Sequence, residues 1–370
     1  MEQVIKKASE MRASDIHIVC GIPVRFRVDG ELTDMDDHVV TEEECERYAA
    51  AFGAEAVNTT KTVGEVDLAA TLCDRRLRVN IFMQQEKFSL AIRMLNDRIP
   101  KLEDLNLPPV VSTFPEYKNG LILVTGETGS GKSTTLAALL DKINRSSHKH
   151  IITLEDPIEY VYTPDKCVIN QREVGRDTRS FATGLRAALR EDPNVVLVGE
   201  MRDFETIETA LTAAETGHLV FGTIHTNSAS DAVDRIVDVF PEERQRQIRL
   251  QLSMSLKAVL SQQLLKKRGG GRVAACEIMI VDHAISNLIR EAKTPQIRNA
   301  LATSAALGSI TMENAVAKLL REGVISPEVA DKAVGAPEGE DNLKMPMGNN
   351  AGLGGTMSMS FEDRPVRPRI

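Results

Sequence analysis

The chain has 370 residues, of which 42% are hydrophobic, and its formal net charge is −8. This acidic balance excludes a general electrostatic attraction to nucleic acid or anionic lipid. Its five cysteines form no CxxC pair, which argues against a structural zinc site or a disulfide scaffold. No apolar run approaches the ~18 residues of a membrane span, so we expect a soluble, intracellular protein of two or three domains.

Residues 1–98 have the pattern of a small α+β domain. An opening helix is predicted from Val4, Ile5 and Ala8, and Thr41–Glu44 is a capping box that starts a second helix. Alternating apolar residues predict strands, and the spacing of the last three favours an antiparallel meander. The strands begin near Ile16 and include Val24–Val28, which ends at the turn signal Asp29-Gly30, then 66–72, 77–83 and 88–94.

Prolines punctuate residues 99–117, which we interpret as a linker between domains. From residue 118 to 334, short apolar runs alternate with helical segments, a pattern typical of a parallel sheet covered on both faces. The predicted strands are 121–124, 151–154, 195–198, 219–224 and 273–281.

The last part of this region is predicted to be mostly helical. One long helix is predicted from Glu242 to about Gln263, because apolar residues recur along it at helical spacing before Lys266–Gly269. Further helices are predicted near 284–291, 295–306 and 311–322, with a last one opening at Ser326-Pro327-Glu328. Residues 335–370 are rich in Gly, Pro and Met, and we predict a disordered tail.

A glycine-rich loop follows the strand 121–124 and fits the P-loop template G-x-x-x-x-G-K-[ST] at every fixed position. Gly126, Gly129 and Gly131 let the backbone turn so that N–H groups face phosphate oxygens, and the following helix adds its positive dipole end. Lys132 is predicted to reach the β- and γ-phosphates, and the Ser133 hydroxyl to complete the Mg²⁺ shell. The other residues of the predicted phosphate-binding loop are Thr128, Ser130 and Thr134. Strand, loop and helix occur in the required order, which favours a nucleoside triphosphate site over a chance glycine turn.

A P-loop also requires a carboxylate at the end of a neighbouring strand, to orient Mg²⁺ or to polarise water. One predicted strand is followed directly by Gly-Glu, which makes Glu200 a candidate for both roles. Another is followed by the segment 155–159, in which Glu155, Asp156 and Glu159 are acidic. From the residues alone, this second acidic segment could instead be a capped strand end.

Two histidines flank the strand 219–224, with His218 before it and His225 after it. A lone histidine beside a strand is usually a packing residue, but a pair beside a P-loop sheet suits a γ-phosphate sensor, and both interpretations stay open. Arginines are numerous, and phosphoryl transfer often gains from an arginine supplied by a neighbouring subunit. Arg78 and Arg93 fall on exposed positions of the first sheet, where a solvated surface is the simpler interpretation.

Five segments of the second region are more specific than any single residue. They are GETGSGKSTTLAALLD (126–141), ITLEDPIEYV (152–161), NQREVGRDTRSF (170–181), LRAALREDPNVVLVGEMRD (185–203) and TGHLVFGTIHT (216–226). Together they resemble the secretion-type hexameric ATPases, most closely the retraction ATPases of type IV pili. The resemblance extends from residue 1 to about residue 334.

The resemblance implies an α/β fold with a small α+β PAS-like N-terminal domain (1–98), the linker (99–117) and a RecA-like P-loop domain with a helical C-terminal part (118–334). It implies ATP and Mg²⁺ as ligands, and a homo-hexamer that powers pilus retraction by nucleotide-driven domain rotation. The alternative on the same fold is a pilus-assembly, secretion or DNA-translocating ATPase. The implied partner is an inner-membrane platform protein of the pilus machinery, met at the cytoplasmic face of the inner membrane. Contact with the membrane is expected to be peripheral, and no stable nucleic-acid binding is expected.

The resemblance also implies roles for individual residues. Glu155–Glu159 correspond to the family's acidic box, Glu200 to its atypical Walker B residue, and His218 with His225 to its histidine box. By this resemblance Glu200 is essential for hydrolysis and Glu159 is the favoured base for the attacking water. It further suggests that Arg78 and Arg93 approach nucleotide at a subunit or domain boundary.

One segment departs from the family pattern. Ser286 stands in AISNLIRE (284–291) where the family has Arg, which argues against an ion pair from that position. Retraction rather than assembly is expected, because assembly ATPases of this superfamily typically add an N-terminal domain and a four-cysteine zinc insertion. Here the first strand begins near Ile16, and Cys167 and Cys276 are isolated.

Overall fold

The computed structural model describes residues 1–28, 30–95 and 98–335. Residues Met1–Val334 form one compact unit built on two β-sheets. Asp29 of the predicted turn and residues 336–370 of the predicted tail lie outside the described residues. Within the described ranges, no helix is both long enough and apolar enough to cross a membrane.

The first sheet has six strands, and every neighbouring pair is antiparallel. Its strands are β1 (Asp15–Val19), β2 (Pro23–Val28), β3 (Glu31–Val39), β4 (Glu65–Leu72), β5 (Arg75–Gln84) and β6 (Lys87–Met94). They lie in the order β3-β2-β1-β6-β5-β4. The predicted meander is confirmed as β4, β5 and β6.

Three helices share a core with one face of this sheet. They are α1 (Glu2–Glu10), α2 (Glu42–Ala50) and α3 (Ala54–Val63). The predicted capping box is confirmed, because the side chains of Thr41 and Glu44 each accept a hydrogen bond from the other residue's backbone N–H. Along β5, Leu77, Val79 and Ile81 are fully buried. Arg76 and Arg78, which alternate with these buried residues, therefore lie on the opposite face.

Residues 99–117 are packed rather than extended. They contain two 3₁₀ helices, Leu102–Leu105 and Pro109–Glu116. Their buried side chains Leu102, Val111 and Phe114 join the core of the second sheet. The division of the chain at residues 98/99 and 117/118 stays a prediction.

The second sheet has seven strands. They are β7 (Gly120–Thr125), β8 (His150–Glu155), β9 (Val168–Glu173), β10 (Val195–Val198), β11 (Leu219–Ile224), β12 (Leu256–Lys266) and β13 (Arg272–Ile280). Their order is β13-β12-β7-β11-β10-β8-β9, and all neighbours are parallel except β12 and β13. Because β7, β8, β10 and β11 run in parallel, their carboxyl ends meet at one edge of the sheet.

Nine helices of the described residues accompany this sheet. They are α4 (Lys132–Ser146), α5 (Phe181–Ala188), α6 (Phe204–Glu215), α7 (Ala229–Asp238), α8 (Glu242–Ser255), α9 (His283–Arg290), α10 (Ile297–Thr303), α11 (Met312–Arg321) and α12 (Pro327–Ala333). The predicted helices after residue 283 are confirmed as α9 to α12. Ser286 in α9 donates a hydrogen bond to the Ser253 carbonyl of α8 at 2.6 Å, so it joins these helices without an ion pair.

The prediction of one long helix from Glu242 to about Gln263 is wrong. The helix α8 ends at Ser255, and the chain continues directly as β12. The apolar run that starts at Leu256 fits a buried strand as well as a helix. Here β12 pairs with β7 on one side and β13 on the other, so sheet pairing overrides the local helical pattern.

Candidate nucleotide-binding and hydrolysis site

The P-loop lies between β7 and α4, as predicted. Gly126, Gly129 and Gly131 have φ angles of +139°, +80° and +94°, which side-chain-bearing residues rarely adopt. A Cβ atom at Gly126 would lie 2.3 Å from the Gln262 carbonyl oxygen and 2.6 Å from Ser130 Oγ. The loop therefore needs glycine at residue 126 for space as well as for backbone conformation.

Lys132 is buried at the first position of α4. Its Nζ donates hydrogen bonds to the carbonyls of Gly126 and Glu127, both at 2.8 Å. Desolvation lowers the pKa of Lys132, against the opposing charges of Glu200, Glu159 and Glu127. The lysine is thus held inside the loop, within electrostatic range of both predicted catalytic carboxylates.

The hydroxyl residues of the loop differ in their surroundings. Ser130 Oγ is buried and has no hydrogen-bond partner among the described residues, whereas Thr128 and Ser133 are exposed. Thr134 Oγ1 lies 2.9 Å from the hydroxyl oxygen of Tyr160, which links α4 to the acidic segment. The orphaned Ser130 hydroxyl is a polar group that a phosphate oxygen can satisfy.

A small cavity of about 80 Å³ brings the predicted chemical groups together. It is lined by Ser133 of α4, by the acidic segment after β8 and by Glu200 after β10. Asp156 and Glu159 are among the lining residues of that acidic segment. The Ser133 hydroxyl and several carboxylates around one cavity make a donor set that suits Mg²⁺ and an activated water.

Glu155 differs from the other carboxylates in its hydrogen bonds to side chains of β8 and β9. It accepts hydrogen bonds from Thr153 Oγ1 at 2.6 Å and from Gln171 Nε2 at 3.1 Å. Burial raises the pKa of Glu155 to about 6, and these two hydrogen bonds oppose the shift. This carboxyl group therefore belongs to the hydrogen-bonded support under the acidic segment.

Glu200 is partnered by two basic side chains. His225 Nε2 lies 3.2 Å from Glu200 Oε1, and Arg202 donates to the same oxygen. His225 follows β11 directly, and β11 is the neighbour of β10, so parallel pairing brings the two residues to the same edge. The contact of His225 with Glu200 was not predicted from the sequence, and it joins two of the predicted site residues.

His218 is not brought to this edge. It precedes β11, and its Nδ1 contacts the Ala213 carbonyl at 2.9 Å, at the opposite end of the strand. A strand of this length separates His218 from His225 by about 20 Å. Within this chain, the pair of histidines does not form one site.

Arg78 and Arg93 lie on the exposed face of the first sheet. Arg78 pairs with Asp67 at 2.6 Å and Arg93 with Asp15 at 3.0 Å. The hydrogen bond to Asp67, together with the charges of Asp67, Asp156 and Glu159, raises the pKa of Arg78. Arg78 is therefore within electrostatic range of the acidic segment, while Arg93 contacts Asp15 of its own sheet.

Several residues that support the site were not predicted. Arg76 of β5 contacts Glu173 and the backbone of Ile158, and Gln171 of β9 supports the acidic segment. The signal available for Arg76 was its position two residues before Arg78, on the same exposed face. Its partner is 97 residues away in sequence, so the contact depends on the tertiary fold.

A second cavity, of about 210 Å³, lies on the other side of the P-loop. Gly131, Thr134 and Gln262 line it, together with the segment Asp104–Leu107 and with Lys267, Arg272 and neighbouring residues of the β12–β13 hairpin. Thr135 Oγ1 donates to Gln262 Oε1 at 3.0 Å and so fixes this side of the loop. The P-loop is thus bordered by an acidic cavity on one side and a mixed polar and apolar cavity on the other.

Comparison with known proteins agrees with this geometry. A family model described as "Type II/IV secretion system protein" matches residues 1–323. The chain belongs to this family.

Individual members of the family are similar over most of the chain. The "Type IV pilus retractation ATPase PilT" of Pseudomonas aeruginosa is 45% identical over 91% of this chain and 98% of that relative. The "Twitching motility protein" of Neisseria gonorrhoeae is 52% identical over 72% of each chain.

Solved structures that are similar to this chain have the same fold. One described as the pilus retraction motor PilT with bound ADP is 46% identical, covers 93% of this chain and 99% of its own, and has a TM-score of 0.86. The Legionella pneumophila ATPase DotB is 27% identical, covers 91% of this chain and 95% of its own, and has a TM-score of 0.80. The predicted fold class of this family member is thereby confirmed: a PAS-like N-terminal region followed by a RecA-like P-loop region with a helical C-terminal part.

Proposed function

We propose that this chain is an ATP-hydrolysing motor subunit that powers the retraction of type IV pili. The observation that carries the proposal is the meeting of Lys132, Glu159 and Glu200 at one edge of the sheet. The proposal is also supported by similarity to a named pilus retraction ATPase, because the match covers 98% of that relative's length.

The residues of the P-loop fit a triphosphate with Mg²⁺. Three glycines of positive φ shape the loop, Ser130 Oγ is a buried hydroxyl without a partner, and Lys132 Nζ bonds to loop carbonyls. We assign the phosphates to this loop and to Lys132, and Mg²⁺ to Ser133 and Glu200. When bound, Mg²⁺ neutralises charge on the phosphate oxygens and so favours phosphoryl transfer.

We assign the proton-accepting role to Glu159. A water oxygen attacks the γ-phosphorus, the bond to the β–γ bridging oxygen breaks, and the water proton passes to the Glu159 carboxylate. ADP and phosphate leave. Glu200 is held by His225 and Arg202, which keeps its carboxylate fixed toward the same cavity. The adenosine end is assigned to the cavity beyond Gly131, because it borders the loop opposite the carboxylates.

The proposed motor is a homo-hexamer in which each site is completed by a neighbour. Arg78 and Arg93 are candidates for contacts between subunits, because both are exposed on the first sheet. The proposed partner is an inner-membrane platform protein of the pilus machinery, which places the hexamer at the cytoplasmic face of that membrane. With a net charge of −8, stable binding to nucleic acid is not part of the proposal.

The proposal is tested by deleting the gene in its own organism and scoring surface pili and twitching motility. The expected result is that surface pili are kept or increased while twitching is lost, and that the wild-type chain restores twitching. Cells without pili at normal pilin levels would instead indicate an assembly ATPase. ATP turnover stimulated by DNA and suppressed by salt would indicate a translocating ATPase, because phosphate contacts release counterions.

A further inference from the structure

The loop between β8 and β9 carries Glu159, and Glu173 of β9 fixes the residue before it. Glu173 Oε2 accepts a hydrogen bond from the backbone N–H of Ile158 at 3.1 Å. Glu173 is buried, and its own backbone N–H donates to Asp177 Oδ2 at 2.8 Å. The backbone of the residue that holds Ile158 is therefore fixed at the end of β9.

Arg76 of the N-terminal sheet completes this contact. Its Nη2 donates to Glu173 Oε2 at 3.0 Å, the same oxygen that holds the Ile158 N–H. Its Nε lies 3.3 Å from the Ile158 carbonyl oxygen and donates to it. Both backbone polar groups of Ile158 are thus bonded to one ion pair, and the side chains of that pair are only 16% and 10% exposed.

The backbone that follows Glu159 is held by Gln171, which lies in β9 as Glu173 does. Gln171 Nε2 donates to the Tyr160 carbonyl at 2.8 Å, and Gln171 Oε1 accepts from the Tyr162 N–H at 2.9 Å. Gln171 lies in the same sheet as the P-loop, whereas Arg76 comes from the other sheet. One of the two supports of Glu159 therefore depends on how the N-terminal sheet sits against β9.

We propose that Arg76 is a positioning residue that couples the seating of the N-terminal sheet to the placement of the Glu159 carboxylate. This inference rests on the proposed function, in which Glu159 accepts the water proton. When the N-terminal sheet is packed against β9, the Arg76–Glu173 pair fixes the backbone of Ile158 and so aligns the Glu159 side chain. When the sheet moves away, Ile158 loses its support and hydrolysis slows while nucleotide stays bound.

The geometry distinguishes this role from direct contact between Arg76 and nucleotide. Nε and Nη2 of Arg76 are directed at Ile158 and Glu173, and Nη1 lies 3.5 Å from Thr71 Oγ1. An arginine that stabilises the transition state directly would need its guanidinium group at the phosphates instead. The Arg76 guanidinium acts on the protein backbone beside the base.

The test compares the full-length chain with Arg76→Ala, Glu173→Gln and the double variant. Each single change is expected to lower kcat about ten- to a hundredfold, because small displacements of a catalytic group cost on this scale. ADP affinity is expected to stay within about twofold, since a transition-state effect leaves ground-state binding unchanged. The double variant is expected to be no slower than the slower single variant, because both changes break one unit.

Hydrogen exchange supplies a readout that is independent of turnover. In Arg76→Ala, peptides covering residues 156–162 are expected to exchange faster, while β8 peptides keep their protection. Glu173→Gln is nearly isosteric, so it covers the case in which Arg76→Ala fails to fold. Arg25→Ala is the matched control: it breaks the exposed Arg25–Asp34 pair of the same sheet and is expected to change kcat less than twofold.

Three results would overturn the inference: unchanged kcat in Arg76→Ala, unchanged exchange in residues 156–162, or losses that multiply in the double variant. If the wild-type chain releases no phosphate, the proposed function fails. The exchange comparison still decides whether Arg76 supports the segment.

Discussion

The first prediction concerns Gly126→Ala, which tests whether the P-loop needs glycine at this residue for space as well as for its backbone conformation. The added Cβ would lie 2.3 Å from the Gln262 carbonyl oxygen and 2.6 Å from Ser130 Oγ, at a φ of +139°. Ordinary contact begins near 3.4 Å, so the nearer atom, which is backbone, must move by about 1 Å. That oxygen belongs to β12, which pairs with β7 and cannot shift alone.

Two costs add for this substitution. Forcing alanine into an unfavourable backbone conformation costs about 1–3 kcal/mol. Overpacking a closely packed region costs about a further 1–3 kcal/mol. We therefore expect Gly126→Ala to lower the free energy of unfolding by about 2–6 kcal/mol and to abolish ADP binding.

Gly129→Ala is the matched comparison for stability. Its Cβ would meet no atom within 4 Å, and its φ is +80°, so the backbone cost of about 1–2 kcal/mol remains without a clash. Urea unfolding of both variants measures the difference, and calorimetric titration measures ADP affinity. Equal stability of the two variants, or near-normal ADP affinity in Gly126→Ala, would refute the argument.

Three further predictions concern charge, proton binding and subunit coupling. Lys132→Ala should remove ADP and ATP binding, because Lys132 is the buried cation of the loop; near-normal affinity in a titration would contradict the P-loop assignment. Burial raises the pKa of Glu155 from 4.5 to about 6, so its folded state binds the proton more tightly and this group's contribution to stability falls as the pH rises from 4.5 through 6. Glu155→Gln should therefore remove about 2 kcal/mol of pH dependence, seen by comparing urea unfolding at pH 4.5 and pH 7; an unchanged pH profile would argue against it. Mixing inactive Lys132→Ala subunits with wild type should depress turnover more than dilution does, and strict proportionality to the wild-type fraction would count against a coupled hexamer.

Much of the second sheet could be predicted because its signals are local. The P-loop template fixes Gly126, Gly131, Lys132 and Ser133 by spacing alone, and it stands between the strand and helix that it requires. Glu200 was found because a parallel strand delivers the residue after it to the same edge. Each of these inferences uses the sequence of a single strand or a single turn.

The remaining features depend on contacts between residues that lie far apart in the sequence. The strand β12 was mistaken for helix because its pairing with β7 and β13 becomes visible only in the assembled sheet. Arg78 is singled out only by the resemblance, whereas Arg76 lies on the same face of the first sheet and is distinguished by its contact with Glu173 of the second sheet. His218 and His225 are grouped by the resemblance and by flanking one strand, yet the strand carries them to opposite edges of the sheet and His218 contacts Ala213.

The central claim is that this chain hydrolyses ATP with carboxylates that meet beside its P-loop. Steady-state phosphate release by the purified full-length chain, compared with Glu200→Gln, tests it most directly. We expect wild-type turnover, with a loss of about 10²–10⁴ in the variant while ATP binding is retained, since this is the scale of a positioned acid–base group. No turnover in the wild type, or a loss below tenfold in the variant, would contradict the account.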